Sequence, residues 1–328
     1  MNAIAQSGPG KPEELVMAEL DKPVAGSGEI VVRIHAASLN PVDYKMMTAG
    51  HPSWSYPHVP GVDASGTVEE IGGGVTEWRK GDRVVFHASV FASGVCAEYA
   101  VTTAHTVSRI PENVSFEAAA AFPCAGLTAY QALVRCMHIQ PGQSVFIHGG
   151  AGGVGGYAIQ LARVFGAGLI MTSCSSHNFD YVNKLGADLA FDYNNEDVHA
   201  RMLEATGGEG PDLILNTVNR VVSQKDLGAL SFGGHLACIA GAPEIVADFH
   251  PSTKSFTLHK LMLGGAHLSG SIKAQRELAA MGNEFLGLMA KGLIDPMIEE
   301  TIGLEEVPQA LKRLSERHVR GKIVVKVL

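Results

Sequence analysis

Several things are scarce in this 328-residue chain, and each scarcity removes a class of protein. Cysteine is the first. The five that occur, Cys96, Cys124, Cys136, Cys174 and Cys238, are odd in number and scattered, with no C-x-x-C. That argues against a disulfide framework and reads as reduced thiols packed as small apolar residues. The 14 histidines form no H-E-x-x-H and no other ligand spacing. Lysine and arginine form no run and the net charge is −8, which disfavours a nucleic-acid or anionic-membrane surface. No 18-residue apolar run and no charged-then-apolar leader is present, so a cytoplasmic, soluble protein is expected. Charged residues are 18% against 46% hydrophobic. The chain therefore supports a large core rather than disorder, and its length suggests about two domains.

What is there centres on residues 144–167. Val145-Phe146-Ile147 is an apolar run too short for a helix and right for a buried strand. A glycine cluster follows, then a helical pattern with Val154, Ala158, Leu161 and Phe165 on one face. Within the cluster, Gly150-x-Gly152-x-x-Gly155 matches the dinucleotide fingerprint. Gly150 permits the tight turn, Gly152 lets the backbone approach a pyrophosphate, and Gly155 lets helix and strand pack closely, with Gly153 and Val154 opening the helix whose N-terminus faces the phosphates. A purely structural glycine turn is the alternative. An NAD-specific site needs an acid at the end of the next strand, about 20 residues on. Here that strand, Leu169–Thr172, ends in Ser173-Cys174-Ser175-Ser176-His177-Asn178 instead. Small hydroxyls with His177 and Asn178 leave room and donors for a 2′-phosphate, which favours NADPH and leaves NADH possible. A solvated loop indifferent to the 2′ position is the other reading.

The rest of the chain arranges itself around this unit. Up to about Pro123 it is β-rich, with short strands between Gly and Pro, as in a compact barrel. A long segment, Ser38 to Gly61, interrupts it and holds Trp54 and Tyr56. It is expected as a loop that either walls a substrate pocket with these two residues or packs on itself. Downstream, strands are expected at Ser144–Ile147, Leu169–Thr172, Leu189–Asp192, Leu213–Asn216, His235–Ile239 and His267–Ser269. Helices lie between them, so the class is α/β, a doubly wound parallel sheet. The last strand, Lys322–Val327, has no βαβ partner and is expected to return to the first domain. That gives a discontinuous first domain, 1–123 with 270–328, and a dinucleotide domain, 124–269.

Taken together, Ser38-Leu39-Asn40-Pro41-Val42-Asp43-Tyr44-Lys45, Pro60-Gly61-Val62-Asp63-Ala64-Ser65-Gly66, Gly81-Asp82-Arg83-Val84, Ala125-Gly126-Leu127-Thr128-Ala129-Tyr130, the Gly150 fingerprint, Leu185-Gly186-Ala187-Asp188 and Arg320-Gly321-Lys322-Ile323-Val324 resemble the medium-chain dehydrogenase/reductase superfamily. The resemblance is to its zinc-independent, zeta-crystallin-like quinone oxidoreductase branch and covers nearly the whole chain. It implies a GroES-like β-barrel catalytic domain and a Rossmann domain, with Asn40, Tyr44 and Thr128 lining the catalytic cleft. It also implies cofactor contacts from Gly152, Gly155, Ser175 and Tyr193, from Asn178 where some relatives carry a lysine, and from Asn216, Ile239, Gly241, Ser269 and Lys322. Where zinc-dependent relatives place their ligands, this chain has Asn40, Val62 beside Asp63, and Cys124. One thiol cannot make the three-ligand set that catalytic zinc requires, so no metal is expected. His148 and Tyr157 read as core residues.

The chemistry agrees. Hydride reduction of a simple ketone leaves an alkoxide whose conjugate acid is about as weak as water, pKa ~16, and a Lewis acid helps. Reduction of a quinone or an enone leaves a phenolate or enolate nearer the pKa of ~10 of a phenol. Such an anion needs only hydrogen-bond donors, for which Asn40, Tyr44 and Thr128 qualify. The expected activity is NADPH-dependent quinone reduction. The alternatives are reduction of an enal, enone or enoyl-thioester, and a dinucleotide-binding protein without turnover. A homodimer or homotetramer is expected through the Rossmann edge strand near Gly265–Ser269, approached by the apolar residues 256–263.

Overall fold

The computed structural model describes residues 1–244, 254–317 and 319–328. The chain divides into two compact units, Met1–Leu127 with Leu263–Gly292 and Pro296–Leu328, and Thr128–Met262 with Leu293–Asp295.

The first unit opens with strands β1 (Asn2–Ala5), β2 (Val16–Glu19), β3 (Glu29–Ser38), β4 (Asp63–Ile71), β5 (Arg83–His87), β6 (Tyr99–Thr103) and β7 (Ser108–Arg109). Helices α1 (Pro41–Ala49), α2 (Phe116–Ala121) and α3 (Pro123–Tyr130) accompany them, α3 carrying the chain into the second unit. The expected Ser38–Gly61 loop therefore contains a helix. Its start is written in Asn40-Pro41-Val42-Asp43: proline at the first helical position has no N–H to waste, and the Asp43 Oδ2 accepts the Asn40 N–H at 2.7 Å, closing a capping box.

The second unit is the doubly wound one. Strands β8 (Ser144–His148), β9 (Leu169–Cys174), β10 (Leu189–Asp192), β11 (Leu213–Asn216), β12 (Gly234–Cys238) and β13 (Phe256–Lys260) alternate with helices α4 (Gly153–Val164), α5 (Phe179–Leu185), α6 (Val198–Ala205) and α7 (Arg220–Ala229). All six strands are parallel, in the order β10-β9-β8-β11-β12-β13. That is the 3-2-1-4-5-6 arrangement, whose direction reverses between β8 and β11. Parallel strands are covered on both faces, which is why their sequences are apolar runs rather than alternations. Phe146, Met171, Phe191, Ile214 and Leu236 form one core.

The sixth strand departs from expectation. Gly265–Leu268 is a short helix, α8, in the first unit, and the sheet edge is β13, eight residues earlier. Phe256-Thr257-Leu258 alternates apolar and polar, whereas Gly264-Gly265 and Ser269-Gly270 bracket too few residues for a strand and favour turns.

The chain then adds α9 (Ile272–Ala290), β14 (Ile298–Ile302), α10 (Val307–Ser315) and β15 (Lys322–Lys326) to the first unit. β15 pairs antiparallel with β3, Val324 opposite Ser38, in the sheet β14-β15-β3-β4-β5-β7, with β6 also on β3. The terminal strand thus returns to the first unit's sheet, and Ile30, Val32, Ile34, Val84, Phe86, Ile323 and Val325 share its core. No helix among the described residues is long and apolar enough to cross a membrane.

Candidate functional site

In the second unit, the glycine loop leaves the C-terminal end of β8 beside the reversal point, where open α/β sheets bind ligands. Gly152 is the N-cap of α4, with extended backbone and no side-chain cap. The first-turn N–H groups are therefore left without a capping side chain, the condition for anion binding at a helix start. The other two glycines are there for space. A Cβ on Gly155 would meet Gly149 C at 2.7 Å and Gly150 Cα at 2.8 Å, and one on Gly150 would meet the Ile159 Cδ1 at 2.9 Å. On Gly152 the nearest atom would be Gly149 O at 3.5 Å, an ordinary contact, so that face stands open. These residues fit a dinucleotide pyrophosphate.

Beyond β9, the structure brings Ser175 and Tyr193 together. The Ser175 hydroxyl donates to the Tyr193 oxygen at 2.9 Å and accepts from Asn194 Nδ2 at 3.3 Å. Asn178 lies beside His177, its Nδ2 3.2 Å from His177 Nε2. Tyr193 is 57% exposed. Asp192, at the end of β10, is occupied by Asn194 and Asn195, and hydrogen bonds led by the Asn194 N–H hold its carboxyl below the usual range. Ile239 N donates to Asn216 O at 3.1 Å, and Gly241, at φ +151°, accepts the Ser223 hydroxyl at 2.9 Å.

Asn216 itself is fully buried. Its Nδ2 donates to Asp226 Oδ2 at 2.6 Å and its Oδ1 accepts Val218 N at 2.9 Å. Asp226, also fully buried, accepts His148 Nε2 at 2.8 Å and His199 Nε2 at 2.9 Å on its other oxygen. Burial pushes this carboxyl up, but the bonds from His148 and His199 outweigh it and hold it at about 2. Sequence reasoning placed His148 in the core and did not single out Asp226 or His199. Among the described residues these three form the one group with metal-ligand composition. Donors around a tetrahedral metal with bonds of ~2.0–2.1 Å stand about 3.3 Å apart. At 2.8 and 2.9 Å, with one oxygen shared, these are hydrogen bonds.

The first unit holds a second buried network. Asp63 is fully buried. It accepts Asn40 Nδ2 at 2.8 Å, the Ser38 hydroxyl at 3.3 Å and Cys124 N at 2.8 Å. Lys322, 3% exposed, donates to Asn40 Oδ1 at 2.6 Å and Leu39 O at 3.1 Å, with its ammonium 3.8 Å from Asp63. Both ends of the Asn40 amide are thereby consumed, so Asn40 orders the network rather than offering a free donor. Lys322 was expected beside the cofactor; its ammonium instead offsets Asp63, because a carboxylate this deep needs a paired cation. Burial pushes Asp63 up to about 6 and Asp43 to about 8. Tyr44 is half-buried on α1, and its hydroxyl has no hydrogen-bond partner among the described residues. Thr128 is buried in the second unit and Ser269 is exposed in the first, its hydroxyl on Ala266 O at 2.9 Å.

Trp54 donates to Val90 O at 2.9 Å and stacks on His58. With Val42, Asp43 and Met46 it lines a cavity of about 20 Å³, roughly one water. Tyr56 is 39% exposed and is not part of that wall.

Residues 26–112 match the family model of the alcohol dehydrogenase GroES-like domain, and residues 153–287 that of the zinc-binding dehydrogenases. A zinc-type alcohol dehydrogenase-like protein of Schizosaccharomyces pombe is 30% identical, over 97% of this chain and 94% of that one. The quinone oxidoreductase of Pongo abelii is 29% identical over 92% and 90%. The chain belongs to the medium-chain dehydrogenase/reductase family. Among solved structures, Escherichia coli quinone oxidoreductase complexed with NADPH superposes with TM-score 0.88 at 28% identity, over 99% of this chain and all of that one. The chain is thus an oxidoreductase of the quinone oxidoreductase-like kind, and those relatives support binding of NADP(H).

The family model's description implies zinc, and the residues can be tested for it. At the three positions where zinc-dependent relatives carry ligands, Asn40 is committed to Lys322 and Asp63 and Val62 has no donor, which leaves the Cys124 thiol alone where catalytic zinc needs three protein ligands. This donor set does not fit a zinc ion.

Proposed function

We propose that this protein reduces quinones by hydride transfer from NADPH, without zinc. The observation that carries the reading is that Asn40, at one of the three positions where a metal would need donors, has its amide closed into a network with Asp63 and Lys322. NADPH, when bound, supplies the hydride; the chain's part is to bind, orient and stabilise charge. The uncapped start of α4 and the open face of Gly152 would take the pyrophosphate. Ser175, Asn178 and Tyr193, with no acid at the end of β9, would take the 2′-phosphate. Ile239 and Gly241 follow β12 at the same C-terminal end of the parallel sheet. With the Asn40 amide consumed, Tyr44 is the free hydroxyl donor on α1 for a developing phenolate. A phenolate is stabilised by hydrogen-bond donors alone, whereas the more basic alkoxide from a simple ketone gains more from a Lewis acid.

We further propose a homodimer or homotetramer through the sheet edge, now placed at β13, where Phe256 and Leu258 remain partly exposed. A cytoplasmic setting fits five cysteines that are all free thiols.

The test is oxidation of NADPH and NADH with 1,4-benzoquinone, 9,10-phenanthrenequinone and a 2-alkenal, each with a chelator. Quinone turnover with NADPH that survives chelation is expected. Turnover of the alkenal alone would reassign the enzyme to double-bond reduction. Binding of NADPH with no turnover would make it a non-catalytic binder, and loss of activity to chelator would refute the zinc-free reading.

A further inference from the structure

The buried cluster at the end of the parallel sheet has more order than packing requires. An ionised carboxylate only accepts hydrogen bonds. His148 and His199 both bring Nε2 to Asp226 Oδ1, at 2.8 and 2.9 Å, so both rings must carry their hydrogen on Nε2. In the tautomer with hydrogen on Nε2 alone, the Nδ1 of His148 is a lone pair that accepts. It sits 3.3 Å from the Ser173 hydroxyl, which must donate to it. That turns the oxygen lone pairs of Ser173 toward Gly149 N, 3.4 Å away, the first amide of the glycine loop. The carbonyl of His148 is in turn held by the Thr217 hydroxyl at 2.7 Å. The second carboxylate oxygen fixes Asn216 with its Nδ2 inward and its Oδ1 on Val218 N. One carboxylate on α7 thus sets hydrogen-bond polarity at the ends of β8, β9 and β11. These are the strand ends beside the reversal point of the sheet.

We propose that Asp226 is the positioning residue of the dinucleotide site: through the tautomer of His148 and the hydroxyl of Ser173 it orients the glycine loop, and through Asn216 it orients the turn after β11. This rests on the reading that the second unit binds NADPH. Asp226 does not touch the cofactor in this scheme; it acts through the groups it orders.

Asp226→Asn is the direct perturbation. Its amide presents an NH2 either to Asn216 Nδ2, donor against donor, or to the two imidazoles, which can accept it only by moving their hydrogen to Nδ1 and so reversing the polarity at Ser173. NADPH affinity, read by nicotinamide fluorescence, is expected to fall at least about tenfold, with KM for NADPH rising more than kcat falls. The reciprocal pair Asp226→Asn with Asn216→Asp restores one donor–acceptor match and should recover most of the loss. Ser173→Ala removes only the link to Gly149 and leaves no charge unpaired. It should weaken NADPH binding several-fold even if Asp226→Asn fails to fold. Independently of any activity, ¹⁵N shifts of the imidazoles should place the hydrogen of His148 on Nε2. Hydrogen on Nδ1, or both folded variants binding NADPH as the wild type does, would overturn the proposal. So would zinc displacing the Nε2 hydrogens at stoichiometric concentration. Wild-type protein that binds no dinucleotide while His148 carries its hydrogen on Nε2 would instead sink the cofactor reading and, with it, the positioning role.

Discussion

Gly152 and Gly155 belong to one motif, yet replacing each by alanine should break different things. At Gly155 the three atoms nearest an added Cβ are all backbone: the Gly149 carbonyl oxygen inside van der Waals contact, Gly149 C at 2.7 Å and Gly150 Cα at 2.8 Å. Backbone cannot rotate away as a side-chain tip can, so the loop must shift from the helix. Alanine in a helix is favoured over glycine by ~1 kcal/mol, while overpacking costs ~1–3 kcal/mol or more. The clash should win, with a net loss of ~1–2 kcal/mol, NADPH binding failing with it. At Gly152 the backbone is extended (φ −84°, ψ 172°), open to any residue, and the nearest atom is 3.5 Å away. Gly152→Ala should therefore stay within ~1 kcal/mol of wild type, the scale of an N-cap change. The new methyl, however, stands on the open face, so NADPH affinity should drop by tenfold or more. Urea denaturation and cofactor fluorescence, run on both variants, separate the effects. Wild-type stability in Gly155→Ala would refute the packing argument. Wild-type affinity in Gly152→Ala would mean that no phosphate approaches that face.

The buried network of the first unit gives two further expectations. Lys322→Met leaves Asp63 without its cation and should cost ~3–5 kcal/mol in urea denaturation, as broken buried pairs do; adding Asp63→Asn should recover most of it. Burial raises Asp43 to about 8, so the folded state keeps a proton that the unfolded chain releases near ~3.9. Stability from this group is full below that lower value and is lost as pH rises toward 8. Asp63, raised to about 6, acts with the same sign over a lower window. Between pH 6 and 8 the wild type should lose stability that Asp43→Asn retains, which urea midpoints across that range will check; parallel curves would refute it. In the second unit, Ser175→Asp puts an acid where a 2′-phosphate would sit and a ribose 2′-hydroxyl could be bound. The NADPH-to-NADH ratio of kcat/KM should fall by ~10²-fold, an effect of a few kcal/mol; an unchanged ratio would place the adenosine end elsewhere.

Much of this protein is local, and local features are legible in a sequence. The strands Leu189–Asp192 and Leu213–Asn216 and the helix Phe179–Leu185 lie where periodicity and glycine punctuation put them, because each is a short apolar run or stripe between breakers. The fingerprint is local too: Gly150 and Gly155 are required by close packing within one loop and helix start, and Gly152 keeps the loop's outer face open. The helix Pro41–Ala49 is equally present in Asn40-Pro41-Val42-Asp43, a capping signal masked by the prolines and aromatics of its segment.

What tertiary structure decided is where distant polar groups meet. Nothing near Lys322 in the chain announces Asn40, 282 residues away. The pairing exists because β15 lies against β3 and brings the two into one buried space. Asp226 lies 78 residues from His148 and looks, in sequence, like any surface acid of a helix. Its partners come from different elements, and the free energy of satisfying a buried carboxylate becomes available only once the sheet has assembled. The edge strand shows the same limit: Phe256–Lys260 and Gly265–Leu268 are both short and ambiguous alone, and only pairing with β12 selects the first. Sequence determined the elements and the chemistry on offer. Tertiary structure decided which of those groups are spent on one another and which remain free to act.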